Sequence, residues 1–401
     1  SNYQLPTLNV TNAAATINQA TVSLSGISKT YDGGTTKGNT SMTISGVGSE
    51  TLSFSSATYS DANVATANKY LTALTLADNG SYLASNYQLP TLNVTNAAAT
   101  INKATVTLSG ISKTYDGGTT KGNTGMTISG VGSETLSFSA ATYSDANVAT
   151  ANKYLTALTL ANNGSYLASN YQLPTLNLAN AAATINTASL TVTGNSRIVS
   201  YNGGAQTNTY STSGLTGSDT VTSVTGLATG TNYSATPYAD NLSAASGTGL
   251  SNYTINYVNG SLTINKANLT ITGSTRTVTY NAGSQTNTYS TSGLVGSDSV
   301  SSVTGLASGT NYSATAYLDN LSAVSGSGLS NYTVSYTNGS LIINKATVSL
   351  SGISKTYDGS ASTGNTSMTI TGVGSETLGF SAATYSDANV ATANKYLTAL
   401  T

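Results

Sequence analysis

Short apolar side chains alternate with small hydroxyls along most of the chain. Met42-Thr-Ile-Ser, Leu52-Ser-Phe-Ser, Tyr70-Leu-Thr-Ala-Leu-Thr-Leu and Leu269-Thr-Ile-Thr each place apolar groups on one face and Ser or Thr on the other. That period of two predicts strands with one buried face, and Thr, Val, Ile and Tyr favour the pleated backbone. Gly, Asn and Asp clusters interrupt the alternation at short intervals, and DGG, DNG and VNG suit turns because these residues tolerate positive φ. The pattern predicts an all-β chain built from small β-sandwich modules, Ig-like or β-grasp-like. Asp61-Ala-Asn-Val-Ala-Thr-Ala-Asn-Lys-Tyr fits either a short helical turn capped by Asp61 or an irregular loop, and the loop is the expectation.

The strands recur in repeats. KTYDG occurs three times, at Tyr31, Tyr115 and Tyr357, and residues 19–102 align without a gap on 103–186 with seven differences. A second unit, marked by YNGG at Tyr201 and YNAG at Tyr280, has a period of 79 residues against 84 for the first. Both open on a short alternating strand, continue through a basic residue to a Tyr-Asp/Asn turn, and close with Ser-Asn-Tyr and Thr-Ile-Asn. Residues 1–18 repeat the text of Ser85–Asn102, and 345–401 starts the first unit again. The expected division is a tail fragment at 1–18, repeats at 19–102, 103–186, 187–265 and 266–344, and a truncated repeat at 345–401. On this reading the array continues at both ends. The junctions, such as Thr100-Ile-Asn-Lys-Ala-Thr105, hold no Gly- or Pro-rich linker, so a stiff, elongated rod of modules is expected.

Composition narrows the chemistry. Of 401 residues, 13 are Lys or Arg and 14 Asp or Glu, and there is no Cys, His or Trp. Thiol chemistry, disulfides and thiolate metal sites are therefore excluded, and no side chain titrates unperturbed near neutrality. A net charge of −1 without a basic run argues against nucleic acid. Apolar runs are too short for a membrane span.

SKTYDG, VGSETLSFS, YSDANV and SNYQL resemble the YDG-type repeat. YSTSGL, GSD and LSNYT with NGSLTINKA resemble the MBG-type repeat. Together they cover essentially the whole chain. The resemblance implies a segment of a very large secreted bacterial surface protein, similar to filamentous-haemagglutinin-like adhesins exported by two-partner secretion. It implies an extracellular or cell-surface location and brings no catalytic, cofactor-binding or metal residues with it.

The acids repeat with the modules: Asp32, Glu50 and Asp61; Asp116, Glu134 and Asp145; Asp358, Glu376 and Asp387; Asp219 with Asp240, and Asp298 with Asp319. Asp78 stands apart. Clustered, such acids would make a calcium site. Dispersed, they are Asx-turns and exposed pairs with Lys29 or Lys69, which is the expected reading. A hydrolase pair (Asp32 with Asp61) and a Lys–Asp or Lys–Asn isopeptide staple (Lys29 or Lys69 with Glu50 as proton shuttle) are weaker alternatives. The 26 Tyr residues stand where Phe and Trp would fill small cores, or form sugar-binding platforms. The leading expectation is a non-enzymatic stalk or fibre without a cofactor. The alternative is a module that grips glycan, ice or another cell by many weak contacts, and a third reading is self-association of chains into fibres or bundles through exposed strand edges.

With no group titrating in the interval, the melting temperature should vary little between about pH 5 and 8. A large change across that range in a calorimetric pH series would reveal a strongly perturbed carboxylate and refute this expectation.

Overall fold

The computed structural model describes every residue except Ser1, Lys37 and Lys121, so the first residue of the 1–18 fragment lies outside the described residues. Strands make up 48% of the chain and helix 5%, which makes the protein all-β, as the alternation predicts. Residues 61–70 form bends and turns rather than a helix. Asp61 ties that loop by accepting from the Asn63 amide (2.6 Å) and the Thr66 hydroxyl (2.8 Å), and Asn68 turns it at φ 54°. Among the described residues no helix is long and apolar enough to cross a membrane.

Two packing units are present: Ser1–Val192 with Thr212–Ser223 and Ala245–Asn256, and Thr193–Ser211 with Val224–Ala244 and Tyr257–Thr401. In the first unit, the 19–102 repeat forms a five-stranded sheet. Its order is Leu71–Ala77, Thr51–Tyr59, Ser41–Ser45, Ser23–Thr30 and Ala99–Asn102. Neighbours are antiparallel except the last pair, where Ile27 to Thr30 run parallel to Ala99 to Asn102. The end of the repeat thus closes on its beginning. Residues 103–186 build the same sheet, with Thr184–Asn186 parallel to Thr107–Thr114.

A bulge sets which side chains point inward. Gly26 sits at φ +63°, and the register against Ser41–Ser45 slips between Ser25 and Ser28. An extra residue in one strand moves the inward face from even to odd positions. Leu24 packs inward before the bulge, and Ile27 and Lys29 are buried after it. Gly110 and Gly352 repeat the device at φ +64° and +63°.

The second unit contains the complete 266–344 repeat, with the same parallel closure in two small sheets. Ala267–Gly273 lies between Tyr289–Ser292 and Tyr332–Thr337, and Ser340–Asn344 between Thr275–Thr279 and Tyr317–Leu318. Leu269, Ile271, Leu341 and Ile343 are fully buried. A single apolar cluster joins Leu262 and Ile264, at the end of one repeat, to Leu269 and Ile271 at the start of the next. Only Lys266 separates the two strands involved, Ser261–Asn265 and Ala267–Gly273.

Asp319 departs from the expected exposed turn. It is 4% exposed and has no ion-pair partner among the described residues; N–H groups surround it instead. Asn287 Nδ2 donates to both of its oxygens (3.1 and 3.0 Å), the Ala307 amide to one (2.7 Å) and the Gly339 amide to the other (2.9 Å). Asp240 repeats the arrangement with Asn208, Ala228 and Gly260. Each carboxylate ties three loops to one point, and the N–H groups replace the water it gives up.

Asp319→Ala should therefore strand several buried donors and cost about 3 kcal/mol or more of stability. Urea unfolding checks this, and a change below about 1 kcal/mol would mean that the network holds nothing.

Candidate functional site

The side chains that bind one repeat to the next come from motifs present in every repeat. The tyrosine of the Tyr-Asp/Asn turn lies at the end of a strand whose last residues pair with the closing strand. Its amide is fixed in the same way each time: Tyr31 N donates to Asn102 O, Tyr115 N to Asn186 O, Tyr201 N to Asn265 O and Tyr280 N to Asn344 O. With the backbone pinned, the ring points out of the end of its own repeat.

That ring reaches an acid about 100 residues downstream. Tyr31 Oη donates to Glu134 (2.9 Å to Oε1, 3.2 Å to Oε2), Tyr115 to Asp219 (2.8 Å), Tyr201 to Asp298 (2.7 Å) and Tyr280 to Glu376 (2.5 Å). The acid also receives the tyrosine of its own Ser-Asn-Tyr motif: Tyr171 on Glu134 (2.5 Å), Tyr253 on Asp219 (2.8 Å) and Tyr332 on Asp298 (2.8 Å). Within the first complete repeat Tyr87 donates to Glu50. The two rings meet edge to face, with centroids 5.3 Å apart for Tyr31 and Tyr171, 5.4 Å for Tyr115 and Tyr253 and 5.5 Å for Tyr201 and Tyr332. This is the arrangement that the ring quadrupoles favour. One carboxylate thus holds two phenols from adjacent repeats.

A second attachment uses the asparagine beside that tyrosine. Asn170 Oδ1 accepts from the Val64 amide (2.8 Å), and its Nδ2 donates to Asn63 Oδ1 (2.9 Å). Asn252 does the same with Val148 and Asn147 (2.8 and 3.0 Å), and Asn331 with Tyr233 and Asn232 (2.9 and 3.1 Å). All three asparagines are buried.

Close backbone approach completes the joint. A Cβ added to Gly117 (φ +82°) would lie 3.3 Å from the Gly217 backbone, and one on Gly203 (φ +80°) 3.0 Å from Gly296. Ala282 takes the corresponding place in the last joint at φ 65°, facing Gly374.

The other candidate residues lie apart from one another. Asp32 accepts from Lys29 Nζ (2.5 Å) and the Gly34 amide, and Asp116 repeats this with Lys113. Asp358 pairs with Lys355 at 2.9 Å. Asp78 accepts from the Ala84 amide, a place taken in the next repeat by Asn162 on Ala168. Asp32, Glu50 and Asp61 thus serve three separate local structures, and the described residues hold no group of three or more acids placed to bind a metal.

Lys29 and Lys69 are buried, in contrast to the exposed pairs expected. The bulge turns Lys29 inward, over the Tyr59 ring. Asp32, Gly34 O and Thr36 O take its three hydrogens. Lys69 donates to the carbonyls of Val64 and Thr66. The isopeptide reading needs a neutral amine with Glu50 beside it. Lys29 instead donates to Asp32 and two backbone carbonyls, and Glu50 accepts from Tyr87.

Tyr31, Tyr115, Tyr171, Tyr201 and Tyr280 are held neutral. Burial, then the hydrogen bond to Asp219, pushes the Tyr115 phenol up to about 12. Burial and then Glu134 raise Tyr31 and Tyr171. For Tyr201 and Tyr280 the hydrogen bonds to Asp298 and Glu376 come first, then burial. Asp145 and Asp387 are held below the usual carboxylate range, first by the amides of Asn147 and Asn389.

The YDG domain family matches residues 11–97 and again 95–178, so two YDG repeats stand in this part of the chain. The matched spans begin upstream of residues 19 and 103. No curated protein matches the chain.

The sign of the tyrosine shifts fixes an alkaline limit. A phenol that ionises near 10 in the unfolded chain and higher in the folded one adds stability that is complete below about pH 10. That stability is lost as pH rises to about 12 for Tyr115. Thermal melts between pH 9 and 12 (~3 pH units) should show this fall, tracked by tyrosinate absorbance. Tyr115→Phe should cost about 1–2 kcal/mol at neutral pH and weaken the alkaline fall. Unchanged alkaline behaviour in that variant would exclude the joint as its source.

Proposed function

We propose that the chain is a structural stalk or fibre segment of a secreted bacterial surface adhesin, acting at the cell surface or outside the cell. Its work is mechanical and includes no catalytic step. The observation that carries this reading is the joint between repeats, which recurs four times on corresponding residues. Tyr31, Tyr115, Tyr201 and Tyr280 each cross to the acid of the following repeat. An array whose neighbours are fastened in this way keeps its repeats in a set orientation, as a spacer must.

The later repeats, over 187–344, belong on this reading to the MBG type, which shares the plan of the YDG repeats. The surface supports an extracellular role. It is wetted by neutral Ser, Thr and Asn, whose hydration responds little to salt. Lys29, Lys113 and the joint acids are satisfied within the protein, which lowers the number of charges free to recruit ions or polyelectrolytes.

In solution the protein should be an elongated rod. Strands of about 5–7 residues at ~3.3 Å each give on the order of 30–45 Å per repeat, and well over 150 Å for the whole chain. Small-angle scattering should give a maximum dimension several times the cross-section; a compact distance distribution would defeat the stalk reading. A Gly-Ser linker inserted between Asn102 and Lys103 should shorten the mean end-to-end distance, and no change would mean that the joint was already flexible.

A further inference from the structure

We infer that the joint is a common coupling, blind to repeat type: the partner it fits is the leading end of any repeat of either period, so order and number can change without new contacts. This goes beyond the stalk reading and does not depend on it.

Two kinds of repeat can follow one another in four ways, and this chain contains all four. An 84-residue repeat precedes another where Tyr31 meets Glu134. It precedes a 79-residue repeat where Tyr115 meets Asp219. Two 79-residue repeats meet at Tyr201 and Asp298, and a 79-residue repeat precedes an 84-residue one at Tyr280 and Glu376. The hydroxyl-to-carboxylate distances are closely similar, from 2.5 to 2.9 Å by the shorter contact. In the three joints with both rings, the interplanar angle stays between 77° and 83°. Changing the repeat type on either side leaves the geometry in place.

The trailing half of the coupling is one tyrosine and, 32 residues on in the 84-residue repeats and 31 in the 79-residue one, an asparagine followed by an amide donor: Asn63 with Val64, Asn147 with Val148, Asn232 with Tyr233. The leading half is Gly-Ser-Glu or Gly-Ser-Asp and a Ser-Asn-Tyr whose asparagine and tyrosine both face the preceding repeat. The acid is Glu in the 84-residue repeats and Asp in the 79-residue ones, one methylene shorter. Each is positioned by the tyrosine of its own repeat (Tyr171 on Glu134, Tyr253 on Asp219, Tyr332 on Asp298), so the difference in length is absorbed inside the leading half. The incoming tyrosine meets the same acceptor in either case. Outside these groups the two kinds of repeat differ in sequence and sheet arrangement, and the coupling tolerates the difference.

The test exchanges residues 103–186 with 266–344 in the full chain. Tyr31 then faces Asp298 and Tyr201 faces Glu134; the Val64 amide meets Asn331 and the Tyr233 amide meets Asn170. Hydrogen–deuterium exchange at Val64 and Tyr233 should stay within about threefold of the parent chain. Acceleration beyond about tenfold at these amides, or loss of folding in the reordered chain, would show that each junction is matched to its neighbours and would overturn the inference. A second variant keeps the natural order and exchanges only the acids, Glu134→Asp with Asp298→Glu. Retained protection supports a type-blind coupling, and selective loss at Val64 and Tyr233 shows that acid length is matched to repeat type and overturns it.

Discussion

A phenol from one repeat hydrogen-bonded to a carboxylate in the next is the interaction on which the array depends. Tyrosine suits the place because it spans a distance that no serine could. Its ring packs against the tyrosine of the facing repeat while its hydroxyl reaches the acid. A carboxylate has lone pairs for several donors, so it can hold one tyrosine from its own repeat and one from its neighbour. Hydrogen bonds to a charged acceptor are stronger than neutral ones and need no counter-ion. In a chain with so few Lys and Arg residues, hydroxyls and amides are the donors in supply.

The same economy runs through the interior. Among the described residues, amide N–H groups surround the buried Asp240 and Asp319, and Lys29 and Lys113 sit among carbonyls with one acid each. Burying a charge without such partners costs several kcal/mol, so each group must be surrounded before the loops around it can close. A loop that closes on a carboxylate or an ammonium acquires a fixed shape. That shape carries the joint: Lys29 and Asp32 hold the turn that follows Tyr31, and Asp61 and Lys69 hold the loop that presents Asn63 and Val64.

The strands were legible in the sequence because period-two alternation is a local property, and the turns because DGG and YNGG constrain φ locally. Pairing partners were not. Nothing in Ala99-Thr-Ile-Asn shows that it runs parallel to Ile27-Ser-Lys-Thr, since the same alternation would serve an antiparallel neighbour. Lys29 looked exposed because a simple alternation from Leu24 puts it on the outer face, and Gly26 reverses that by one residue. The joint was hidden for a further reason. Tyr31 and Glu134 are about a hundred positions apart, and Tyr in a core position reads the same whether its hydroxyl is idle or engaged. A usable signal was present: an acid and a tyrosine that recur in every repeat, in a chain otherwise almost without charge, invite pairing.

Orientation at each junction rests on more than the chain between repeats. At three junctions a single residue (Lys103, Thr187 or Lys266) separates the closing and opening strands and leaves little slack, but one covalent connection still permits rotation about its backbone bonds. The tyrosine–acid contact removes part of that freedom, and the asparagine–amide contact, on a different loop, removes more. Three separate attachments on one pair of repeats can swing only if at least one breaks. Each break exposes a buried polar group, an asparagine amide or a phenol facing a carboxylate, at a cost of about 1–3 kcal/mol. On the stalk reading, stiffness at these junctions would follow from what bending leaves unsatisfied. The absence of glycine in the connection is a secondary condition: it keeps the two halves of the coupling close enough to find each other.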